Sequence, residues 1–251
     1  TYDLSTYFEN FDELKDAEGA PMFNRALMAT YPPGSTYKMS MVVAGIDSGV
    51  INSETTVYDK GVFTKYPGFS VACYYYSGEG MVHGSLNAAD ALKVSCNYFF
   101  YQLGDLMNED MPVETAKQLG LGVPTGIELL EKKGTLNTKE QKQKVYGTGV
   151  NANFSAGDRI LGAIGQGENR FTPMQLAVYA STLANKGTRM KATFLSRVVS
   201  SDYRELIFEN EPVVMSQLKM EPTTIETYWN GMRYVVTKPG GTADRYFGGI
   251  D

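Results

Sequence analysis

The chain has 251 residues, 43% of them apolar and 20% charged, with 23 Lys and Arg against 28 Asp and Glu for a net charge of −5. That length suffices for one large domain or two modest ones with a sizeable core. No basic cluster stands out, which argues against nucleic-acid binding, and no apolar run reaches the length of a membrane span.

The opening stretch, TYDLSTYFENFDEL, reads as the interior of something longer. The first clear helix enters through Pro32-Pro33-Gly34 and runs over STYKMSMVVAGIDS to a stop at Gly49. TTVYDKGVFTKYPGFSVACYYY is rich in β-branched and aromatic residues around Tyr66-Pro67-Gly68 and predicts a hairpin, followed by a loop over SGEGMVHG. NAADALKVSCNYFFYQLGDLM predicts a helical region broken near Ser95, with Phe99, Leu103, Leu106 and Met107 on one stripe.

MPVETAKQLGLG predicts a short helix ended by glycine, and the polar segment from Gly134 to Asp158 predicts a surface connection. TPMQLAVYASTLANKG carries the best helix punctuation in the chain: Thr172 and Gln175 for a capping box, Pro173 at the first position, and Gly187 at the end. KATFLSRVVSS and RELIFE predict strands. PTTIETYWNGMRYVVT predicts a capped helix, with Thr223 and Glu226 as its box and Ile225, Trp229, Met232 and Val236 on one face. No composition shift marks a second domain, so residues 1–251 are read as parts of one domain.

Ser35 and Lys38 lie three positions apart, a spacing that brings two helical side chains together. A serine hydroxyl needs a nearby base to become a nucleophile, and a lysine can be that base when burial lowers its pKa. Ser-x-x-Lys is common by chance, however, and serine is also a favoured N-cap. A second element, Ser95-Cys96-Asn97, falls at the break between two helical runs. Serine-x-x-lysine with such a serine-x-asparagine element is part of the signature of penicillin-interacting serine enzymes.

Cys73, His83 and Cys96 offer soft ligands for zinc, and Asp59 is the best candidate for a fourth. The expected arrangement puts Asp59 on the first hairpin strand and Cys73 on the second. A Cys73–Cys96 disulfide, or two unpaired cysteines, fits the same residues. Tyr74-Tyr75-Tyr76 and Phe99-Phe100-Tyr101 are read as packing. GQGEN, at 165–169, could border a substrate cleft or simply precede a capped helix; it lacks what a phosphate loop requires.

Taken together, NRALMATYPPGSTYK, HGSLNAADALKVSCNYFFYQLG, LGLGVPTGIEL, AIGQGENRFTPMQLAVYASTLANKG and GMRYVVTKPGGTA resemble, in order and spacing, the transpeptidase domain of class B penicillin-binding proteins. Among these, the elongation type often called penicillin-binding protein 2 is the most similar, with the sporulation and division types close. The resemblance implies an α+β fold, a helical subdomain plus an antiparallel sheet. It also implies that outer sheet strands, including one bearing lysine-threonine-glycine, lie outside this chain. As written, the chain is therefore expected to be catalytically incomplete.

The implied activity is cross-linking of peptidoglycan stem peptides that end in D-Ala-D-Ala, with β-lactams acylating the same serine. Ser35 would be the nucleophile, Lys38 its base, Ser95 a proton relay and Asn97 a substrate-binding amide. No cofactor is implied for the acyl transfer. Some elongation-type relatives carry a zinc set that Asp59, Cys73, His83 and Cys96 match in order. The implied setting is the extracytoplasmic face of a bacterial cell membrane, beside a membrane glycan polymerase. A serine β-lactamase, a D,D-carboxypeptidase, or a non-catalytic β-lactam sensor or scaffold are the alternatives.

Overall fold

The computed structural model describes residues 3–247. Its elements in chain order begin with α1 (Phe11–Asp16), α2 (Arg25–Met28), a 3₁₀ turn (Gly34–Tyr37) and α3 (Lys38–Asp47). There follow β1 (Val57–Tyr58), β2 (Val62–Phe63), β3 (Val71–Ala72), α4 (Tyr74–Glu79), β4 (Ser85–Leu86), α5 (Ala88–Lys93), α6 (Asn97–Leu106) and α7 (Asp110–Gln118). The second half holds α8 (Lys139–Tyr146), α9 (Ala156–Gly162), α10 (Pro173–Ala184), β5 (Thr188–Met190), β6 (Arg197–Val199), β7 (Leu206–Glu209), β8 (Val214–Gln217), α11 (Pro222–Thr237) and α12 (Asp244–Phe247). Among the described residues the strands form two-stranded antiparallel sheets: β1 with β4, β2 with β3, β5 with β8, and β6 with β7. This is the expected α+β arrangement.

Helix α3 is the axis of the core. Lys38 and every residue from Ser40 to Gly45 are buried, the pattern of a helix enclosed on all sides. α5, α6, α7 and α11 surround it. α6 contributes Tyr98, Phe99, Phe100, Tyr101 and Leu103 to the same cluster, so its aromatic run is packing, as expected. α6 and α9 cross closely at Gly104, where a Cβ would stand 2.6 Å from that of Ala163.

Several expectations need correction. β1 pairs with β4 rather than with the hairpin β2–β3, and Tyr74 begins a helix instead of continuing a strand. The loop expected from Ser77 therefore starts only after Glu79. The polar segment expected to be a surface connection holds α8, a 3₁₀ turn and α9, and Ser155 with Asp158 forms a capping box on α9. Leu106 is 58% exposed and leaves the stripe.

At α11 the N-cap is Glu221 and Thr223 lies inside the helix, so the Thr223–Glu226 box does not form. Its buried residues are Thr224, Thr227, Tyr228 and Gly231, while Trp229 and Met232 are exposed. The α10 start holds, with both capping-box hydrogen bonds present and proline at the first turn; at its end Asn185 is the C-cap and Lys186 takes the left-handed position, one residue before Gly187.

Candidate active site

Ser35 stands on a turn fixed from two sides. Pro32 and Pro33 restrict the approach, and Gly34 adopts a φ of 56°, which glycine tolerates best. Segment 165–171 runs alongside: Tyr31 and Phe171 exchange backbone hydrogen bonds of 2.9 Å, and the Gly34 amide donates to the Gly165 carbonyl at 3.1 Å. Buried Asn169 locks that segment by accepting the Asn137 amide and donating to the Gly162 and Gln166 carbonyls. The GQGEN stretch is thus a buttress for the serine turn.

The turn itself is 3₁₀ from Gly34 to Tyr37 and becomes α-helical at Lys38. With three residues per turn, positions i and i+3 eclipse, so Ser35 and Lys38 share a side. Ser35 is exposed and Lys38 is 1% exposed. The nucleophile candidate is therefore open to solvent, and the base candidate is hidden beneath it.

The second element arises from the end of α5. The Ser95 amide donates to Leu92 and the Cys96 amide to Ala91, the hydrogen-bond pair of a Schellman motif. The left-handed position of that motif, normally glycine, is occupied by Ser95 at a φ of 51°. Two backbone reversals, at Gly34 and at Ser95, thereby bring the two elements face to face.

Their geometry is a short relay. Ser95 Oγ donates to Ser35 Oγ at 3.0 Å. Lys38 Nζ donates to Ser95 Oγ at 3.0 Å, to the Ser95 carbonyl at 2.8 Å and to Asn97 Oδ1 at 2.6 Å. The recorded path from Ser35 to Lys38 thus passes through Ser95. Two of the three lysine partners can only accept, and the third is a hydroxyl that can turn either way. A neutral amine has two N–H donors and one lone pair, so it fits the same cage by receiving the Ser95 hydroxyl. Burial drives Lys38 toward that neutral form and pulls its pKa down to about 8, against the opposing pull of Cys96 and Cys73. The Phe100 ring lies 5.3 Å from Nζ and closes the cage from behind.

Behind this relay Asp59, Cys73, His83 and Cys96 converge, with donor atoms all within 4.8 Å of one another. Asp59 follows β1 and Cys73 caps α4, so they are not on opposite strands of one hairpin. The two sulfurs are 4.0 Å apart and unbonded. Cys73 Sγ lies 3.7 Å from His83 Nδ1, and Cys96 Sγ lies 3.6 Å from Asp59 Oδ2. A tetrahedron with Zn–S of about 2.3 Å and Zn–N and Zn–O of about 2.0 Å has edges of roughly 3.3–3.8 Å. Two of the three sulfur distances, 3.6 and 3.7 Å, fall on those edges, the 4.0 Å between the sulfurs is slightly longer, and the 2.8 Å His83–Asp59 contact is a direct hydrogen bond.

Asp59 is aimed by the Gly61 amide, which donates to its other oxygen at 2.8 Å. Burial opposes its charge, but hydrogen bonds from His83 and Gly61 outweigh burial and lower its pKa. The hydrogen bond between the thiols holds Cys73 down to about 4 and pushes Cys96 up. The cluster gathers negative charge away from water, and a divalent cation would neutralise it.

All eight residues singled out in the sequence thus fall into two adjoining groups, joined by the run Ser95-Cys96-Asn97. Sequence reasoning missed Phe100, Asn169 and the buttressing role of Gly165. Phe100 was visible only as part of an aromatic run, and the loop only as a glycine-rich turn.

The sequence matches the penicillin binding protein transpeptidase domain over residues 2–251. It is 32% identical over 246 residues to the peptidoglycan D,D-transpeptidase MrdA of Escherichia coli K12, covering 95% of this chain and 36% of that protein. The chain therefore spans about a third of the length of this curated relative. Among solved structures, penicillin-binding protein 2 of Pseudomonas aeruginosa in complex with WCK 5153 is 25% identical with a TM-score of 0.81, over 98% of this chain and 54% of that one. The corresponding protein from Helicobacter pylori has the same fold, with 22% identity and a TM-score of 0.80 over 99% of this chain and 44% of that one. The chain belongs to the penicillin-binding protein transpeptidase domain family.

Proposed function

We propose that this chain carries the acyl-transfer centre of a peptidoglycan D,D-transpeptidase. The observation that carries the reading is the relay from exposed Ser35 through Ser95 to buried Lys38, with Asn97 holding the lysine. Ser35 Oγ attacks the carbonyl of the penultimate D-alanine of a stem peptide. Its proton moves to Ser95 while the Ser95 proton moves to neutral Lys38. When the tetrahedral adduct collapses, the peptide C–N bond breaks. Ser95 passes a proton to the departing D-alanine amine and regains one from Lys38. An amine of a neighbouring stem peptide then attacks the ester, and the same relay runs again to release Ser35. A β-lactam acylates Ser35 by the first half of this sequence. The relay needs no cofactor.

Asp59, Cys73, His83 and Cys96 would hold a structural zinc ion, supplying a rigid cross-link and no chemical step. The proposed setting is the extracytoplasmic face of the bacterial membrane. The proposed partner is a membrane glycan polymerase, and a chain of the same fold occurs in a solved peptidoglycan synthase complex, at 24% identity and a TM-score of 0.77.

The test is covalent labelling of the full-length protein with fluorescent penicillin. Wild type is expected to give a lasting adduct on Ser35, and Ser35→Ala none. Labelling that persists in Ser35→Ala, or an adduct hydrolysed within seconds, overturns the reading.

A further inference from the structure

Tyr179 lies midway along α10, far from Ser35 in sequence, and its side chain ends at the serine turn. It is 2% exposed. Its hydroxyl accepts the Ser40 amide at 2.9 Å and donates to the Thr36 carbonyl at 3.1 Å. Ser40 and Thr36 are four residues apart, the pair that an uninterrupted α-helix would bond directly. The phenol therefore stands in the helix ladder at the junction between the 3₁₀ turn bearing Ser35 and the α-helix begun by Lys38. Insertion of a side chain into that ladder is a recognised cause of a local break in helical winding.

We propose that Tyr179 is a positioning residue for acylation: its hydroxyl keeps the turn in 3₁₀ form and so keeps Ser35 eclipsed with Lys38. This rests on the reading of Ser35 as nucleophile. Without the hydroxyl, the buried Ser40 amide and the Thr36 carbonyl lose their shared partner, and unpaired buried groups are unfavourable. They can satisfy each other by closing the ordinary α-helical bond. Rewinding from three residues per turn to 3.6 turns a residue three positions away by up to about 60°. Ser35 then leaves the side it shares with Lys38 and Ser95. Burial also raises the Tyr179 pKa, so the phenol stays protonated and able to donate.

Tyr228 supplies a matched control. It is likewise buried, and its hydroxyl donates to the Leu183 carbonyl at 2.8 Å, away from the serine turn. The experiment measures acylation of the full-length protein by fluorescent penicillin, separating the acylation rate constant k2 from the dissociation constant of the preceding complex, alongside thermal stability. For Tyr179→Phe, k2 is expected to fall at least tenfold with the dissociation constant within twofold of wild type. For Tyr228→Phe, stability falls and k2 stays within twofold.

A wild-type k2 in Tyr179→Phe overturns the proposal, as does an equal loss in Tyr228→Phe, which would mark both effects as general destabilisation. If wild type is not labelled on Ser35, the functional reading itself has failed, and that result is distinct from either variant's behaviour. Should Tyr179→Phe not fold, para-aminophenylalanine at position 179 replaces it; this keeps a donor toward Thr36 but accepts poorly from Ser40. An intermediate k2 is then expected, and a wild-type k2 overturns the proposal.

Discussion

Lys38 sets the pH behaviour of the proposed chemistry. An exposed lysine titrates near 10.4, whereas burial brings Lys38 down to about 8. The neutral amine is the form that accepts a proton, so acylation should speed up as pH rises. The expected profile climbs about tenfold per pH unit below 8 and levels off above it. Rapid-mixing measurements of penicillin acylation between pH 6 and 10 check this; a flat profile would exclude Lys38 as the base. Lys38→Arg keeps a permanent charge, so its rate should fall by about 10²–10⁴ with no inflection near 8. Ser35, Lys38, Ser95 and Asn97 were singled out in the sequence because serine-x-x-lysine and serine-x-asparagine, in that order, match a family signature; spacing alone left Ser35 as an ordinary N-cap. The resemblance gave Ser95 as a proton relay, but not its place as the bridge between Ser35 and Lys38. That place depends on Ser35 and Ser95 meeting across two backbone reversals, which no spacing encodes.

At the scale of elements, the serine turn depends on what leans against it. A Cβ at Gly165 would stand 2.2 Å from the Gly34 carbonyl oxygen, and Gly165 has a φ of 71°. Gly68 has a similar φ of 75° with nothing within 4 Å of a Cβ. Both glycine-to-alanine changes carry the left-handed penalty of about 1–2 kcal/mol, but only Gly165→Ala also pushes on the Ser35 turn. Both should lower the melting temperature, and Gly165→Ala should in addition slow penicillin acylation. Equal acylation by the two variants would count against the buttress.

The misread elements have physical explanations too. α8 buries none of its residues, so it offers no apolar period and rests on the helix propensity of Lys, Gln and Glu. On α11 the side facing α5 is lined by small and polar residues such as Gly231, whose Cβ would come within 2.7 Å of Leu92. Close backbone approach chose that face, where hydrophobicity alone pointed to Trp229. β1 finds its partner β4 across an intervening hairpin and helix, a pairing that no local turn signal announces.

For the whole molecule, the four-residue cluster ties together segments that are far apart in sequence. Asp59 follows β1, Cys73 opens α4, His83 precedes β4 and Cys96 precedes α6. If the cluster holds zinc, it fastens β1, β3 and β4 to the back of the relay through Cys96. Elemental analysis should find about one equivalent of zinc. Chelation should lower the melting temperature on the order of 10 °C, from the several kcal/mol that a tightly bound ligand contributes. It should slow acylation as well, because Ser95 and Asn97 flank the released cysteine. A metal-free protein that melts and acylates like the untreated one would refute the zinc assignment.

The left-handed conformation of Ser95 places stability and chemistry in opposition at one position. The end of α5 favours glycine there, since a side chain at a φ of 51° is strained. The relay requires a hydroxyl at the same point, held by Ser35 on one side and Lys38 on the other. A redesign guided by folding free energy alone would replace Ser95 with glycine among its first choices and would remove the link between the proposed nucleophile and its proposed base. Positions at which the preferred backbone residue is missing can therefore be searched for directly, as places where an activity has been retained against the demands of the fold.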